Sequence, residues 1–564
     1  MIKKTAAQIL VDCLVVNGTD RVYGVPGESY LAVLDALYRR DEIHYLNCRQ
    51  EGGAAMAAEA YGKLTGRPGV CIVTRGPGAT NASAGVHVAF QDSTPMILLI
   101  GQVGRGMQER EAFQEIDYRR MFGPMVKWVA QVDDPARMAE FINRAYATAT
   151  SGRPGPVVLA LPEDVLRETV AEQPLPAAKS VVPAPAAGDM AALAVVLGSS
   201  QRPLLLIGGG GWSEAVSAHV KTFAEANQLP VAASFRCQDY LDNEHENYVG
   251  HVGIGIDPNL ARRFRACDLL IVLGPRLGEM TTSGYQLLQP PQTAMPLVHI
   301  HAAVEELGRV YHPTIAINAG AAPAAAALAA LGTVPRTVDC QWLNDARADF
   351  EVFRNGQDSP GPLQLRSIVK YLSATLAEDA IITNGAGNYA IWLHRFYAYR
   401  RYRTELAPTC GSMGYGLPAA VAAAELYHDR PVICFAGDGC FMMTCQEFAT
   451  AVQYGLKLVV ILVNNGMYGT IRMHQERHYP ARVSATDLVN PDFAAMARAM
   501  GGFGATVTKT EEFAAAFTKA QAYPGPALIE VRLDPEALTP NATLAQTRAA
   551  ALKKQTRKTR NAKL

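Results

Sequence analysis

Short apolar runs recur along the chain at 70–74, 96–100, 157–161, 204–207, 269–273, 432–436 and 458–463, with Ala-rich stretches of helical spacing between them. Because the runs are continuously apolar rather than alternating, they predict strands buried on both faces, as in parallel sheets covered by helices. Two Pro- and Ala-rich passages, about 173–188 and 334–362, lack strand periodicity and are read as linkers. The chain is therefore expected to be α/β, with three doubly wound parallel-sheet domains at 1–170, 190–335 and 360–540 and a basic C-terminal tail at 541–564. A length of 564 residues is consistent with three such domains.

One internal echo links the outer domains. Arg153-Pro-Gly-Pro-Val-Val-Leu-Ala-Leu-Pro162 and Tyr523-Pro-Gly-Pro-Ala-Leu-Ile-Glu-Val531 both run from a Pro-Gly-Pro turn into a buried strand. The tail carries Lys553, Lys554, Arg557, Lys558, Arg560 and Lys563 and is expected to be solvated and mobile.

Charge adds little. Lys plus Arg equals Asp plus Glu at 52 each, so no global field draws the protein to nucleic acid or to anionic membrane. The ten cysteines are scattered without a Cys-x-x-Cys pair, and Cys13, Cys71, Cys267 and Cys434 stand in apolar runs that suit reduced core thiols. The N-terminus is basic, but Asp12, Asn17 and Asp20 interrupt the apolar stretch behind it, so it is not read as a signal peptide. No window reaches membrane-spanning length, and a cytoplasmic enzyme with small-molecule partners is expected.

The most informative segment spells strand, Gly437-Asp438-Gly439 turn, helix, strand, Asn464-Asn465, with residues 440–463 between the two turns. In a right-handed β-α-β unit both strand ends lie on one sheet edge, where open α/β folds bind ligands, so Asp438 and Asn465 are brought together. A carboxylate and an amide oxygen are hard donors suited to Mg²⁺ or Ca²⁺, too few to complete a shell, and phosphate oxygens are expected to supply the rest. Gly437 and Gly439 allow close backbone approach, and Thr444 with Glu447 has the spacing of a capping box.

This arrangement closely resembles the Gly-Asp-Gly to Asn-Asn signature of thiamine-diphosphate (ThDP) enzymes. The similarity extends over nearly the whole chain and is greatest for the acetolactate (acetohydroxyacid) synthase-like branch, with its pyrimidine-binding, central and diphosphate-binding domains. It implies a metal held by Asp438, Asn465 and the main-chain carbonyl of Met467. It also places Glu51, in Arg49-Gln-Glu-Gly-Gly-Ala-Ala-Met, on the catalytic glutamate that activates the aminopyrimidine for deprotonation of the thiazolium C2.

The cofactor-binding set so implied comprises Pro26, Gly27 and Glu51 in the first domain. In the third it comprises Gly385, Gly387, Asn388, Gly411, Met413, Gly437, Asp438, Gly439, Cys440, Asn465, Tyr468 and Gly469. Met413 matches the residue that wedges between the cofactor rings, and the Gly411 carbonyl matches the acceptor for the 4′-amino group. Arg75, Phe113, Gln114 and His474 are implied to meet substrate, with Gln114 and Glu28 taking part in catalysis. For Glu28 the alternative is a helix cap; the functional reading expects partial burial and a raised pKa. The resemblance further implies a homodimer or homotetramer with active sites between subunits.

Several positions depart from the synthase pattern. Glu28 and Arg75 replace small residues, Asn388-Tyr389 replaces Gln-His, and Gly469-Thr-Ile-Arg-Met-His474 replaces Gly-Met-Val-x-Gln-Trp. In the central domain Leu206-Ile-Gly-Gly-Gly-Gly-Trp212 offers a glycine turn to a nucleotide. Gly274-Pro-Arg-Leu and His299-Ile-His301 nevertheless differ from the flavin-binding synthases, so FAD is expected to be weakly bound or absent. His299 and His301 are read as alternating on a strand, and His474 and His478 as a helical i, i+4 pair without a third zinc ligand. Carboligation of a 2-oxoacid is the expected reaction. A ThDP-dependent decarboxylase or C–C lyase is the alternative, and a non-catalytic cofactor-binding subunit a third.

Overall fold

The computed structural model describes residues 3–337 and 339–561. Residues 345–561, with 241–250 and 254–260, form one compact unit, and the other described residues form another.

Three six-stranded sheets are present. The first is wholly parallel and contains Arg21–Gly24, His44–Asn47, Gly69–Val73, Met96–Gln102, Trp128–Gln131 and Pro156–Pro162. Numbered in chain order, its strands lie 2-1-3-4-6-5 across the sheet. The third sheet contains Ile381–Asn384, Glu405–Leu406, Val432–Gly437, Val459–Asn464, Phe503–Val507 and Ala527–Arg532, is also parallel, and repeats the order 2-1-3-4-6-5. Each Pro-Gly-Pro echo therefore feeds the sixth strand of its sheet, Pro156–Pro162 or Ala527–Arg532, beside the fourth. The central sheet has a different winding, 3-2-1-4-5-6, built on Pro203–Ile207, Leu269–Leu273 and Leu297–His301. Met96–Gln102 and Pro156–Pro162 are buried at every position, as continuous apolar runs require.

The structure corrects two expectations about irregular chain. Within 334–362, Cys340–Asn355 is a helix whose Trp342, Ala346 and Phe350, four residues apart, form one buried stripe. At the C-terminus Leu544–Asn561 is an 18-residue helix rather than a tail. Ala, Gln, Lys and Arg favour helix there, and Leu544 and Ala551 are buried on one face. Arg557, Lys558 and Arg560 lie in this helix, whereas Lys563 lies outside the described residues.

Arg548 fastens the C-terminal helix to Gly469–His478, donating to Glu476 at 2.9 and 2.6 Å, while Arg472 donates to the same carboxylate at 3.2 Å. Arg548, foremost among several contacts, holds the buried Glu476 carboxyl at about 2, well below the usual carboxylate range. A depressed native pKa stabilises above the unfolded value and is lost as pH falls from about 4.5 towards 2. Arg548→Ala is expected to lower amide-exchange protection across the helix on the order of tenfold at pH 7, because Arg548 is partly solvated. The difference from the parent should narrow as Glu476 protonates. Among the described residues no helix is long and apolar enough to cross a membrane.

Candidate functional site

The strand Val432–Gly437 ends directly on a short helical turn, Asp438–Phe441, and the next strand, Val459–Asn464, ends directly on Asn465. These neighbouring parallel strands pair Gly437 with Val463, so their C-terminal ends emerge side by side. Asp438 is buried, and its carboxylate is fixed from three directions. Oδ1 accepts from Gly439 N at 2.8 Å, and Oδ2 accepts from Gly466 N at 2.9 Å and Asn490 Nδ2 at 2.8 Å. Burial raises its carboxyl above the usual range, and the hydrogen bonds oppose that shift without cancelling it.

Asn465 folds its Oδ1 over Met467 N at 3.3 Å. Met467 faces Asp487 in an antiparallel bridge flanked by Tyr468 N to Thr486 O and Leu488 N to Gly466 O, both 2.8 Å. That register turns the Met467 carbonyl out of the ladder, and it accepts no hydrogen bond from the described residues. One carboxylate, one amide oxygen and one main-chain carbonyl thus lie on one edge of the third sheet. This is a hard-oxygen donor set of the kind Mg²⁺ takes together with phosphate.

The glycines of the motif are also required by the protein's own packing. A Cβ at Gly437 would sit 2.7 Å from the Tyr389 ring, and one at Gly439 would sit 2.5 Å from the Tyr468 ring. Both are required by aromatic packing. Thr444 and Glu447 do not form a capping box. Thr444 Oγ1 donates to the Gly414 carbonyl at 2.6 Å, tying this segment to the Gly411–Gly414 loop, while Glu447 accepts from Thr450 at 2.7 Å. Cys440 does similar work, accepting from Gly414 N at 3.2 Å and Tyr389 Oη at 3.3 Å.

The loop Gly385–Gly387 follows Ile381–Asn384 and packs on Cys440, since a Cβ at Gly385 would lie 2.5 Å from its sulfur. Asn388 is buried and committed elsewhere: it donates to Leu538 O at 3.2 Å and accepts from Thr470 at 2.9 Å. Its carboxamide anchors the helix Gly469–His478. Gly411 is exposed with φ 68°, and Met413 is half-buried against the third-domain core. His474 lies exposed on Gly469–His478, its ring stacked on His478 at 6.2 Å, and its pKa is lowered by partial burial and by neighbouring Arg477 and His478.

In the first domain Glu51 is the opening residue of the helix Glu51–Thr65, whose N-cap Gln50 accepts from Gly53 N. Asn81 Nδ2 donates to Glu51 Oε2 at 2.9 Å, and Oε1 has no donor among the described residues. Gly78 leaves that oxygen uncovered, for a Cβ there would stand 3.3 Å away. The Pro26-Gly27 turn packs on Thr74, which a Cβ at Gly27 would approach to 2.5 Å. Glu28 is exposed in the single chain, and neither Glu28–Tyr30 nor Leu31–Leu37 has a side-chain cap, so the capping alternative fails there.

Arg75 is likewise engaged. It donates to Phe113 O at 3.2 Å and pairs with Glu163 at 3.3 Å, so it braces the loop that carries Phe113 and Gln114. Gln114 has φ 66°, and Glu109 and Glu111 are also left-handed, so this loop is held in a sparsely populated conformation. Phe113 is 76% exposed, a large apolar ring left to another surface.

In the central domain His299 and His301 are buried on Leu297–His301; His299 Nε2 is bonded to the Pro275 carbonyl and His301 Nδ1 accepts from Ala303 N at 3.0 Å, with burial lowering His299 to about 4. The glycine turn is filled by the protein. Trp212 Nε1 donates to Gly208 O and Tyr240 Oη to Gly209 O, both at 2.7 Å, and a Cβ at Gly208 would overlap Ser234. Packing thus accounts for Gly208 and Gly209.

Sequence reasoning missed Asn490 and Asn81, the side chains that orient the two key carboxylates. Asn490 precedes Pro491 and the helix-capping Asp492 and reads as turn punctuation.

Family models match in chain order: the N-terminal TPP binding domain of thiamine pyrophosphate enzymes over residues 4–121, their central domain over 190–331, and their C-terminal TPP binding domain over 385–531. The acetolactate synthase large subunit of Corynebacterium glutamicum is 32% identical over 535 residues, covering 92% of this chain and 85% of that protein. The acetolactate synthase isozyme 1 large subunit of Escherichia coli K12 is 32% identical over 537 residues, covering 94% of each. With matched domains in order, the sheets that define them, and relatives aligned over nearly their full length, the chain belongs to the thiamine pyrophosphate enzymes, in the family of acetolactate synthase large subunits.

Proposed function

We propose that this protein is a ThDP- and Mg²⁺-dependent 2-oxoacid carboligase of acetolactate synthase type, which decarboxylates one 2-oxoacid and joins the remaining acyl unit to a second carbonyl. Bound ThDP supplies the electron sink for that chemistry. The observation that carries the reading is the convergence of Asp438, Asn465 and the unengaged Met467 carbonyl at one sheet edge. These three oxygens would hold Mg²⁺, and the Gly385–Gly387 backbone would meet the diphosphate. Glu51, oriented by Asn81, would hold and release a proton at its free Oε1. Phe113 and Gln114 would exclude water from the reacting carbon and orient the second substrate.

We further propose a homodimer or homotetramer with sites between subunits. Met442, Met443, Ile471 and Val489, which flank the metal motif in sequence, are exposed in the single chain and suit burial against a second copy. A cytoplasmic location suits Cys13, Cys48, Cys71, Cys237, Cys267 and Cys434, which are buried free thiols.

Incubation of the purified protein with pyruvate, ThDP and Mg²⁺ tests the reaction. Acetolactate is the expected product. Acetaldehyde alone would favour a decarboxylase, and no turnover of any 2-oxoacid in a panel would favour a non-catalytic subunit.

A further inference from the structure

Asp438 and Glu530, both buried, are the two ends of a line of hydrogen-bonded side chains that passes through the half-buried Asn464 and Asn490. Glu530, fully buried on Ala527–Arg532, accepts from Thr506 Oγ1 at 3.0 Å, from Arg532 Nε at 3.3 Å and from Asn464 Nδ2 at 2.7 Å. An ionised carboxylate only accepts, so it must take the amide nitrogen of Asn464 and turns the amide oxygen the other way. That oxygen accepts from Gly466 N at 3.1 Å and from Asn490 Nδ2 at 3.0 Å. The same Asn490 nitrogen donates its second hydrogen to Asp438 Oδ2 at 2.8 Å. The direction of every donor from Glu530 to Asp438 is therefore fixed: turning the Asn464 amide would set its nitrogen against the Gly466 and Asn490 donors, and turning the Asn490 amide would set its oxygen against the Asp438 and Asn464 acceptors.

We infer that Asn490 is a positioning residue for the metal site: polarised through Asn464 by Glu530, it locks the rotation of the Asp438 carboxylate and so selects Mg²⁺ over larger cations. Mg²⁺ demands near-ideal octahedral geometry, whereas Ca²⁺ accepts irregular shells and tilted carboxylates. A carboxylate clamped on both oxygens serves the first ion, and a loosened one penalises Mg²⁺ more than Ca²⁺. The inference rests on the metal and cofactor roles proposed above.

Asn490→Leu keeps the volume of the side chain and removes the donor, and Asn490→Ala provides a second variant should the larger apolar group disturb folding. Calorimetric titration of ThDP into the full-length protein at graded Mg²⁺, and separately at graded Ca²⁺, measures the concentration of each ion that supports binding. In a folded variant the Mg²⁺ requirement should rise about tenfold or more, the effect of losing an outer partner of a metal ligand. The Ca²⁺ requirement should rise distinctly less. An unchanged Mg²⁺ requirement, or an equal rise for both ions, would overturn the inference while leaving the metal site intact. If the unsubstituted protein binds ThDP without any divalent cation, the proposed metal role falls, and this inference with it.

Discussion

Glu51→Gln is expected to lower turnover about a hundredfold or more while leaving the fold and ThDP affinity nearly unchanged, the scale of one general acid–base element. Structurally the substitution is mild. Glu51 opens its helix, Gln50 supplies the cap, and Gln retains an oxygen to accept from Asn81 Nδ2. With that oxygen engaged, the amide nitrogen occupies the position of Oε1, and a permanent donor replaces an oxygen able to hold or release a proton. The decisive measurement is hydrogen–deuterium exchange at the thiazolium C2 of bound cofactor, followed by NMR. Exchange should slow in parallel with turnover. Exchange at the parent rate would remove Glu51 from this role and leave it an ordinary first-turn acid.

What the sequence disclosed depended on whether backbone or side chain carried the information. The three sheets follow from continuous apolar runs, and the Pro-Gly-Pro echo marked equivalent strands in two sheets that share one winding order. The proximity of Asp438 and Asn465 follows from β-α-β handedness alone. The partners of these groups were hidden because they come from distant chain: Asn490 reaches Asp438 across 52 positions, and Asn81 reaches Glu51 across 30. Thr444 and Glu447 satisfied a local pattern, but tertiary bonds to Gly414 and Thr450 won. In Cys340–Asn355 the apolar stripe of Trp342, Ala346 and Phe350 was present in the sequence but was obscured by its Pro-rich flanks. The C-terminal helix was read from its charge alone, and the buried Glu476 that receives Arg548 belongs to another element.

Asp438→Ala is expected to abolish the dependence of ThDP binding on Mg²⁺ and to weaken binding at saturating Mg²⁺ about a hundredfold or more. That exceeds the ten- to hundredfold typical of outer-shell partners, because here a ligand itself is removed. Two consequences follow from the geometry. The cation loses its only carboxylate donor among the three proposed ligands, so the charge of the diphosphate is no longer bridged to the protein. In addition Gly439 N and one hydrogen of Asn490 Nδ2 lose their acceptor, while Gly466 N keeps only Asn464 Oδ1. Leaving donors unsatisfied in a buried site costs about 1–3 kcal/mol each, so part of the loss would be local disorder rather than missing charge. Asp438→Asn separates the two. Its amide oxygen can serve the Gly466 and Asn490 donors but carries no charge, and its amide nitrogen has no acceptor where Oδ1 now meets Gly439 N. Calorimetry with and without Mg²⁺ should show both variants insensitive to the metal, with the Asn variant keeping more of the metal-free thermal stability. If Asp438→Ala instead binds ThDP with the parent affinity and the parent Mg²⁺ dependence, the Gly437-Asp438-Gly439 motif is a turn held by Asn490 and Gly466, and the metal must be sought elsewhere.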